Sequence, residues 1–269
     1  MYGSSESRLG AVSAADSFAI DTKVMSWEPS CHTKDKILEG IEESLGNLRA
    51  PQINIEYLHV PDRTTPFDEA CEAMNIAHKA GKIKAWGLSN YKAEEVQQIL
   101  DICEHRSFVK PSVYQGQYNA VVRGGETGLF PLLRKHDIAF YAYSPAAGGF
   151  FAGNYKTVQK RGRWDTATSP GQIYSTSYLK PPIIRAAEKS LELAANHGIS
   201  GHAMALRWTI HHGALDSTRG DGIIIAASNL DQLEANLDAV EAGPLPPDVA
   251  SALDVLHGAI GDDAVPYHL

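Results

Sequence analysis

Six short apolar runs alternate with segments of helical hydrophobic period along these 269 residues, and this alternation limits the fold more than any other feature. The runs are Ser17–Val24, Ile53–His59, Ile83–Leu88, Ser112–Gln117, Ile138–Ser144 and Gly222–Ala227. Each is too short for a stable helix, and the connections are long enough to hold one, as parallel strands joined by crossovers require. Thr33–Leu48 carries Ile37, Leu38, Ile41, Leu45 and Leu48 at helical spacing, with Thr33 placed to cap it. Pro66–Lys79, Ala93–Glu104 and Leu230–Val240 read in the same way. Pro181 and Pro182 open a helix that runs to Asn196, where Gly198 suits the left-handed residue past a helix end, and Gly201–His211 follows. No long polar linker intervenes, so residues 1–269 read as a single α/β domain.

Composition removes several function classes. Residues are 43% hydrophobic and 21% charged, enough for one sizeable core. A net charge of -8 argues against general binding of nucleic acid or an anionic membrane. No apolar stretch is long enough to span a bilayer, and the first residues lack the basic-then-apolar pattern of a signal peptide. Cys31, Cys71 and Cys103 are widely spaced, which suggests buried, reduced thiols and a cytoplasmic setting. His211 and His212 suit the negative pole of a helix end better than a metal site. The glycines of Gly148-Gly149-Phe150-Phe151-Ala152-Gly153 lack the spacing of a dinucleotide fingerprint, which counts against a Rossmann fold. Pro145–Pro181 is rich in Gly, Ser, Thr and Tyr without a clean period; directly after a strand, it reads as a lid loop.

Polar residues mark the end of every apolar run. Lys23 ends the first, His59 the second, Ser89 and Asn90 follow the third, Gln115 lies near the end of the fourth, Ser144 ends the fifth and Ser228 follows the sixth. In a barrel of parallel strands these ends share the face where such enzymes place their chemistry. Strands must end in something soluble, so the row alone is a weak pointer. Lys23 and His59 carry more, because an ionisable group against a strand core calls for a partner.

Longer segments sharpen this. Tyr2-Gly3-Ser4-Ser5-Glu6, Asp21-Thr22-Lys23-Val24 and Tyr57-Leu58-His59-Val60-Pro61-Asp62-Arg63 come first. Gly87-Leu88-Ser89-Asn90-Tyr91, Val113-Tyr114-Gln115-Gly116-Gln117-Tyr118-Asn119, Ala142-Tyr143-Ser144-Pro145 and Ser228–Asn236 follow. In order and spacing, across essentially the whole chain, they resemble the aldo-keto reductases, most of all the aflatoxin-aldehyde-reductase-like and fungal aryl-alcohol-dehydrogenase-like members. The resemblance implies a (β/α)8 barrel, N-terminally truncated, with about six of its eight strands present. It implies NADP as cofactor and a small carbonyl compound as substrate. It implies Tyr2, Lys23 and His59 as catalytic residues and His59 and Tyr174 as substrate contacts. Cofactor contacts are implied for Ser89, Asn90, Gln115, Tyr143, Ser144, Pro145, Gly148, Gly149, Asn154, Ser228, Gln232 and Asn236.

The residue types suit the chemistry. A phenol keeps its proton at neutral pH but gives it up poorly, and a neighbouring ammonium eases the release. A histidine within hydrogen-bond reach orients and polarises the carbonyl. The chain also departs from the family pattern. The aspartate that pairs with the lysine is missing, and Asp21 sits one pleat repeat deeper and is not expected to replace it. Ser177 stands where the subgroup often has an arginine three residues after the lid tyrosine, which favours a neutral aldehyde or ketone over a carboxylated one. Asn154 stands in place of a cofactor-side lysine, with Lys156 nearby, and Ser228–Asn236 holds no Lys or Arg, so NAD stays open beside NADP. The expected activity is NADPH-dependent reduction of an aldehyde or ketone in secondary metabolism or aldehyde detoxification. The alternative is a catalytically impaired, nucleotide-binding or scaffold-type homologue. Open sheet edges would favour pairing of two copies, so a homodimer is among the expected states.

Overall fold

The computed structural model describes residues 3–160 and 162–269. The elements in order are α1 (Ser5–Ala11), β1 (Asp21–Val24), α2 (Lys34–Leu48), β2 (Ile53–Leu58), α3 (Phe67–Lys79), β3 (Ile83–Ser89), α4 (Ala93–Arg106), β4 (Val113–Gln117), α5 (Leu129–Lys135) and β5 (Ala139–Tyr143). There follow α6 (Ser169–Tyr178), α7 (Pro181–Asn196), α8 (Gly201–His211), β6 (Gly222–Ile223), α9 (Leu230–Glu241), α10 (Pro247–Asp254) and α11 (Leu256–Ile260). The strands form one sheet in chain order from β1 to β6, with parallel pairing of β1 to β2, β2 to β3, β3 to β4 and β5 to β6. This is the expected α/β architecture, a six-stranded part of a barrel-type sheet.

The chain divides into two compact units, the first made of Met1–Gln115, Leu132–Ala139 and His268–Leu269. Its centre is β2, where Ile53, Ile55, Tyr57 and Leu58 are all buried, as a parallel strand covered on both faces demands. Lys23, Tyr57, Gly87 and Val113 form one row across the strands. A Cβ on Gly87 would lie 2.7 Å from two ring carbons of Tyr57 and from Val113 Cγ1, so only glycine fits beneath that ring. Gly10 plays a similar part in α1, where an added Cβ would overlap the carbonyl oxygen of Asn47. Thr33 occupies the N-cap of α2, but its side chain makes no capping bond; the Lys34 N–H donates to Glu69 Oε2 at 3.1 Å instead. Cys31, Cys71 and Cys103 are buried free thiols, as their spacing suggests.

The second unit comprises Gly116–Pro131 and Phe140–Tyr267. Tyr118, Phe130, Phe140 and Trp208 build its aromatic core, with Phe130 stacked on Phe140 at 4.5 Å between centroids. The Tyr118 hydroxyl donates to Glu126 Oε1 at 2.6 Å and accepts from the Ala214 N–H at 2.7 Å, so the buried phenol is satisfied. The turn after α7 places Gly198 at φ +69, in its expected left-handed role. His212 Nε2 accepts the Leu245 N–H at 2.8 Å, and burial lowers its pKa.

Several boundaries differ from the sequence reading by a residue or two, and β1, β6 and Pro145–Pro181 differ by more. β1 begins at Asp21 rather than Ser17, because Ala14–Asp16 form a 3-10 turn and pairing with β2 starts only at Asp21. β6 is Gly222–Ile223 rather than Gly222–Ala227: its register with β5 covers those two residues, and the Ile224 N–H adds one further bond, to the Ala142 carbonyl at 2.8 Å. Pro145–Pro181 contains structure: a 3-10 turn at Ala147–Gly149 and helix α6. The signal for α6 was present, because Thr168 accepts the Gly171 N–H and Pro170 sits in the first turn. No helix of the described residues is long and apolar enough to cross a membrane.

Gly87→Ala is expected to cost about 1–3 kcal/mol through overpacking against Tyr57 and Val113. Gly46→Ala, on the exposed face of α2 with open space around it, should instead gain about 0.5–1 kcal/mol. Thermal unfolding followed by circular dichroism measures both; equal midpoints would contradict the packing account of Gly87.

Candidate active site

In the first unit the ends of four strands carry the predicted polar residues. Lys23 lies opposite Tyr57, with Nζ 5.3 Å from the centre of that ring. His59 follows β2 directly, two residues beyond Tyr57 and so on the same side. The Trp27 ring meets the imidazole edge-on at 5.3 Å. Ser89 ends β3 and pairs with Gln115 of β4. Asn90, at φ +65, donates from Nδ2 to the His59 carbonyl at 3.0 Å and to Ser89 Oγ at 3.1 Å. Ser89, Asn90 and Gln115 are all buried. The structure thus brings Lys23, His59, Ser89, Asn90 and Gln115 onto neighbouring strand ends. Tyr2 lies outside the described residues.

Burial sets the electrostatics. It holds the Lys23 ammonium below its ordinary pKa, with Asp21 and Glu56 pulling the other way. It also brings His59 down to about 4, helped by the charge of Lys23. The imidazole is therefore neutral at pH 7 and keeps one N–H to donate. Asp21 accepts from Asn54 Nδ2 at 2.7 Å, and burial raises its pKa. Glu56, fully buried on β2 with neither carboxyl oxygen hydrogen-bonded, is pushed well above the usual carboxylate range by burial.

The second unit contains a cavity of about 640 Å³. Ser144, Pro145, Gly148, Gly149, Asn154, Ser228, Gln232 and Asn236 line it, which is every predicted cofactor residue of this unit except Tyr143. Ala147, Gly148 and Gly149 all have positive φ and turn the backbone at its rim. A Cβ on Gly148 would overlap the Tyr174 ring, and one on Gly149 would overlap Asn154 Nδ2. Tyr174 Oη lies 2.5 Å from Ser144 Oγ, so α6 is tied to the end of β5. On the opposite wall the Ser228 N–H donates to Gln232 Oε1 at 2.9 Å, Asn229 caps α9, and Asn236 Nδ2 donates to the Ala226 carbonyl at 3.3 Å.

Among the lining residues that were not anticipated, Arg163 and His202 bring ionisable groups. Arg163 donates to Tyr174 Oη at 3.0 Å and lies over its ring at 5.2 Å. It gives the cavity a cation, whereas Lys156, the lysine close to Asn154 in sequence, rests over Tyr155 and is not part of the lining. His202 on α8 hydrogen-bonds Asn236 Oδ1 through Nε2 at 2.6 Å; because that oxygen only accepts, Nε2 carries the proton. Glycines that admit close approach, a guanidinium and a row of amide side chains have the chemistry to hold the phosphate and ribose groups of a dinucleotide, in a volume usual for cofactor pockets. Among the described residues no cluster of His, Cys, Asp and Glu could hold a metal ion.

The family model described as "Aldo/keto reductase family" matches residues 1–257. The "Oxidoreductase sirO" of Leptosphaeria maculans is 36% identical over 268 residues, covering 99% of this chain and 82% of that protein. The "Aflatoxin B1 aldehyde reductase member 2" of Mus musculus is 39% identical over 256 residues, covering 91% and 69%. The "Aldo-keto reductase pigE" of Monascus ruber is 32% identical over 238 residues, covering 86% and 70%. The chain belongs to the aldo/keto reductase family, and with it to the NAD(P)H-dependent oxidoreductases that reduce carbonyl groups.

Proposed function

We propose that this protein reduces an uncharged aldehyde or ketone to the alcohol, with NADPH preferred over NADH, and that Tyr2, Lys23 and His59 carry the proton chemistry. The observation that supports it most is the placement of Lys23 and His59 at the ends of the adjacent strands β1 and β2, where burial keeps the imidazole neutral. Bound NADPH supplies the hydride. His59 donates its ring N–H to the carbonyl oxygen, which orients the substrate and draws charge onto that oxygen. Tyr2 gives the phenolic proton to the same oxygen, and the Lys23 ammonium stabilises the phenolate left behind. A neutral His59 avoids a second positive charge beside Lys23.

Ser89, Asn90 and Gln115 suit a carboxamide, because hydroxyl and amide groups offer both donors and acceptors. Tyr143 suits stacking on a nicotinamide ring. Ser144, Pro145, Gly148, Gly149, Asn154, Ser228, Gln232 and Asn236 suit the remainder of the cofactor, with Arg163 as the phosphate-facing cation. Tyr174 stands on the substrate side. Ser177 three residues later brings no guanidinium for a carboxylate, which favours a neutral substrate. The name of the mouse relative, an aflatoxin B1 aldehyde reductase, supports an aldehyde. Aldehyde detoxification or secondary metabolism in the cytoplasm is the setting we favour.

Tyr2→Phe should lower kcat/KM by about 10²–10⁴ while leaving the NADPH dissociation constant unchanged; undiminished turnover would remove the phenol from the mechanism. Arg163→Ala should weaken NADPH about ten- to a hundredfold in a fluorescence titration, the loss expected for a charge-assisted contact. Tight binding without turnover across an aldehyde panel would mark the non-catalytic alternative. The pH profile has a defined sign. His59 falls from the ordinary value near 6.5 to about 4, so it stays neutral from pH 7 down to about 5. An acid limb of kcat/KM centred near 6.5 that disappears in His59→Gln would contradict this. The same shift contributes stability that is complete above about pH 6.5 and is lost as pH falls towards 4.

A further inference from the structure

We propose that Arg63 and Leu269 form a latch that fixes Asn90, which makes both positioning residues for the cofactor end of the site. The inference rests on the reading that Asn90 contacts the cofactor. Asn90 sits at φ +65, a left-handed conformation that asparagine adopts more readily than other residues with a Cβ and that fixed partners hold in place. The support comes from both of its ends. Its side-chain amide is tied to the His59 carbonyl and to Ser89 Oγ. Its main-chain oxygen accepts the Leu269 N–H at 3.1 Å.

Leu269 is held in turn by Arg63. The guanidinium donates from Nη2 to the main-chain oxygen of Leu269 at 2.8 Å. It also grips the Glu95 carboxylate, through Nε at 2.6 Å and Nη2 at 3.2 Å. Glu95 is only 12% exposed, and its Oε2 accepts the Lys92 N–H at 2.9 Å at the start of α4. The arginine is thus anchored on a fixed carboxylate rather than a mobile one. Arg63 lies four residues after His59, so the bonds close a ring: His59 to Asn90, Asn90 to Leu269, Leu269 to Arg63, and back along the chain to His59. The Leu269 side chain is 54% exposed, so what this residue brings to the ring is its main chain.

A ring of this kind joins the ends of β2 and β3, which carry His59 and Asn90. Breaking it at Arg63 or at Leu269 removes one tie on the Asn90 main chain and loosens the aim of its carboxamide. The latch acts on the aim of one side chain, so the defect belongs to cofactor binding and not to carbonyl recognition.

The test is an NADPH titration by protein fluorescence on Arg63→Ala, on the protein lacking Leu269, and on the two combined. Each single change should raise the NADPH dissociation constant about tenfold, and the combination no further, because both open the same ring. In steady state the KM for NADPH should rise with it while the KM for the aldehyde stays put, and Arg63→Lys should recover part of the loss. Dissociation constants within twofold of the parent in both single variants, or effects that multiply in the combination, would overturn the latch. Asn90→Ala separates the two layers. Weaker NADPH binding there with none in Arg63→Ala removes the latch alone. Unchanged binding in Asn90→Ala removes the cofactor role of Asn90 and the latch with it.

Discussion

Withdrawal of the Lys23 ammonium and the His59 imidazole from water, where β1 lies parallel to β2, sets the electrostatics of the first unit. Register places the lysine beside the Tyr57 ring, and the next strand end carries the histidine. Desolvation disfavours charge on both groups, and on histidine the nearby lysine adds to the effect. The lysine is drawn below its ordinary pKa, and the imidazole, at about 4, is neutral at pH 7. On the strand that leads to His59, burial likewise pushes the Glu56 carboxyl well above the usual carboxylate range.

Much of this was legible in the sequence because it follows from short-range patterning. Apolar runs bounded by helical segments located all six strands, since a parallel strand must be buried along its length and its crossover must cover it. Site residues at strand ends were legible for the same reason: position along the strand determines which end, and alternation determines which side. What escaped depended on partners distant in sequence. The extent of β6 depends on its register with β5, which residues 222–227 do not encode. Thr33 has the composition of a cap, yet Glu69, 36 residues later (69 − 33), lies by the start of α2 and takes the neighbouring amide. Arg163 escaped because nothing local distinguishes a lid arginine that stacks on Tyr174 from one in solvent.

The second unit shows how a segment without period can still be ordered. Between residues 145 and 181 the chain is held by ring packing, with Phe150 stacked on Tyr155, Tyr174 stacked on Tyr178, and Trp164 donating to the Gly148 carbonyl. Aromatic side chains bury large areas from few positions, so such a segment needs no repeating pattern to stay in place. Gly148 and Gly149 are the complement: they vacate the space that Tyr174 and Asn154 fill. The cavity wall is therefore built by alternating the largest side chains with none.

The row of Lys23, Tyr57, Gly87 and Val113 applies that arrangement at the centre of the sheet. The tyrosine ring occupies the volume its glycine neighbour gives up, so neither position has a preferred residue independent of the other. Among descendants of this sequence the two should drift only together: a side chain gained at position 87 demands a smaller one at 57, and the lysine then loses the face it rests on. A residue with no side chain thus governs which substitutions remain open to its neighbours.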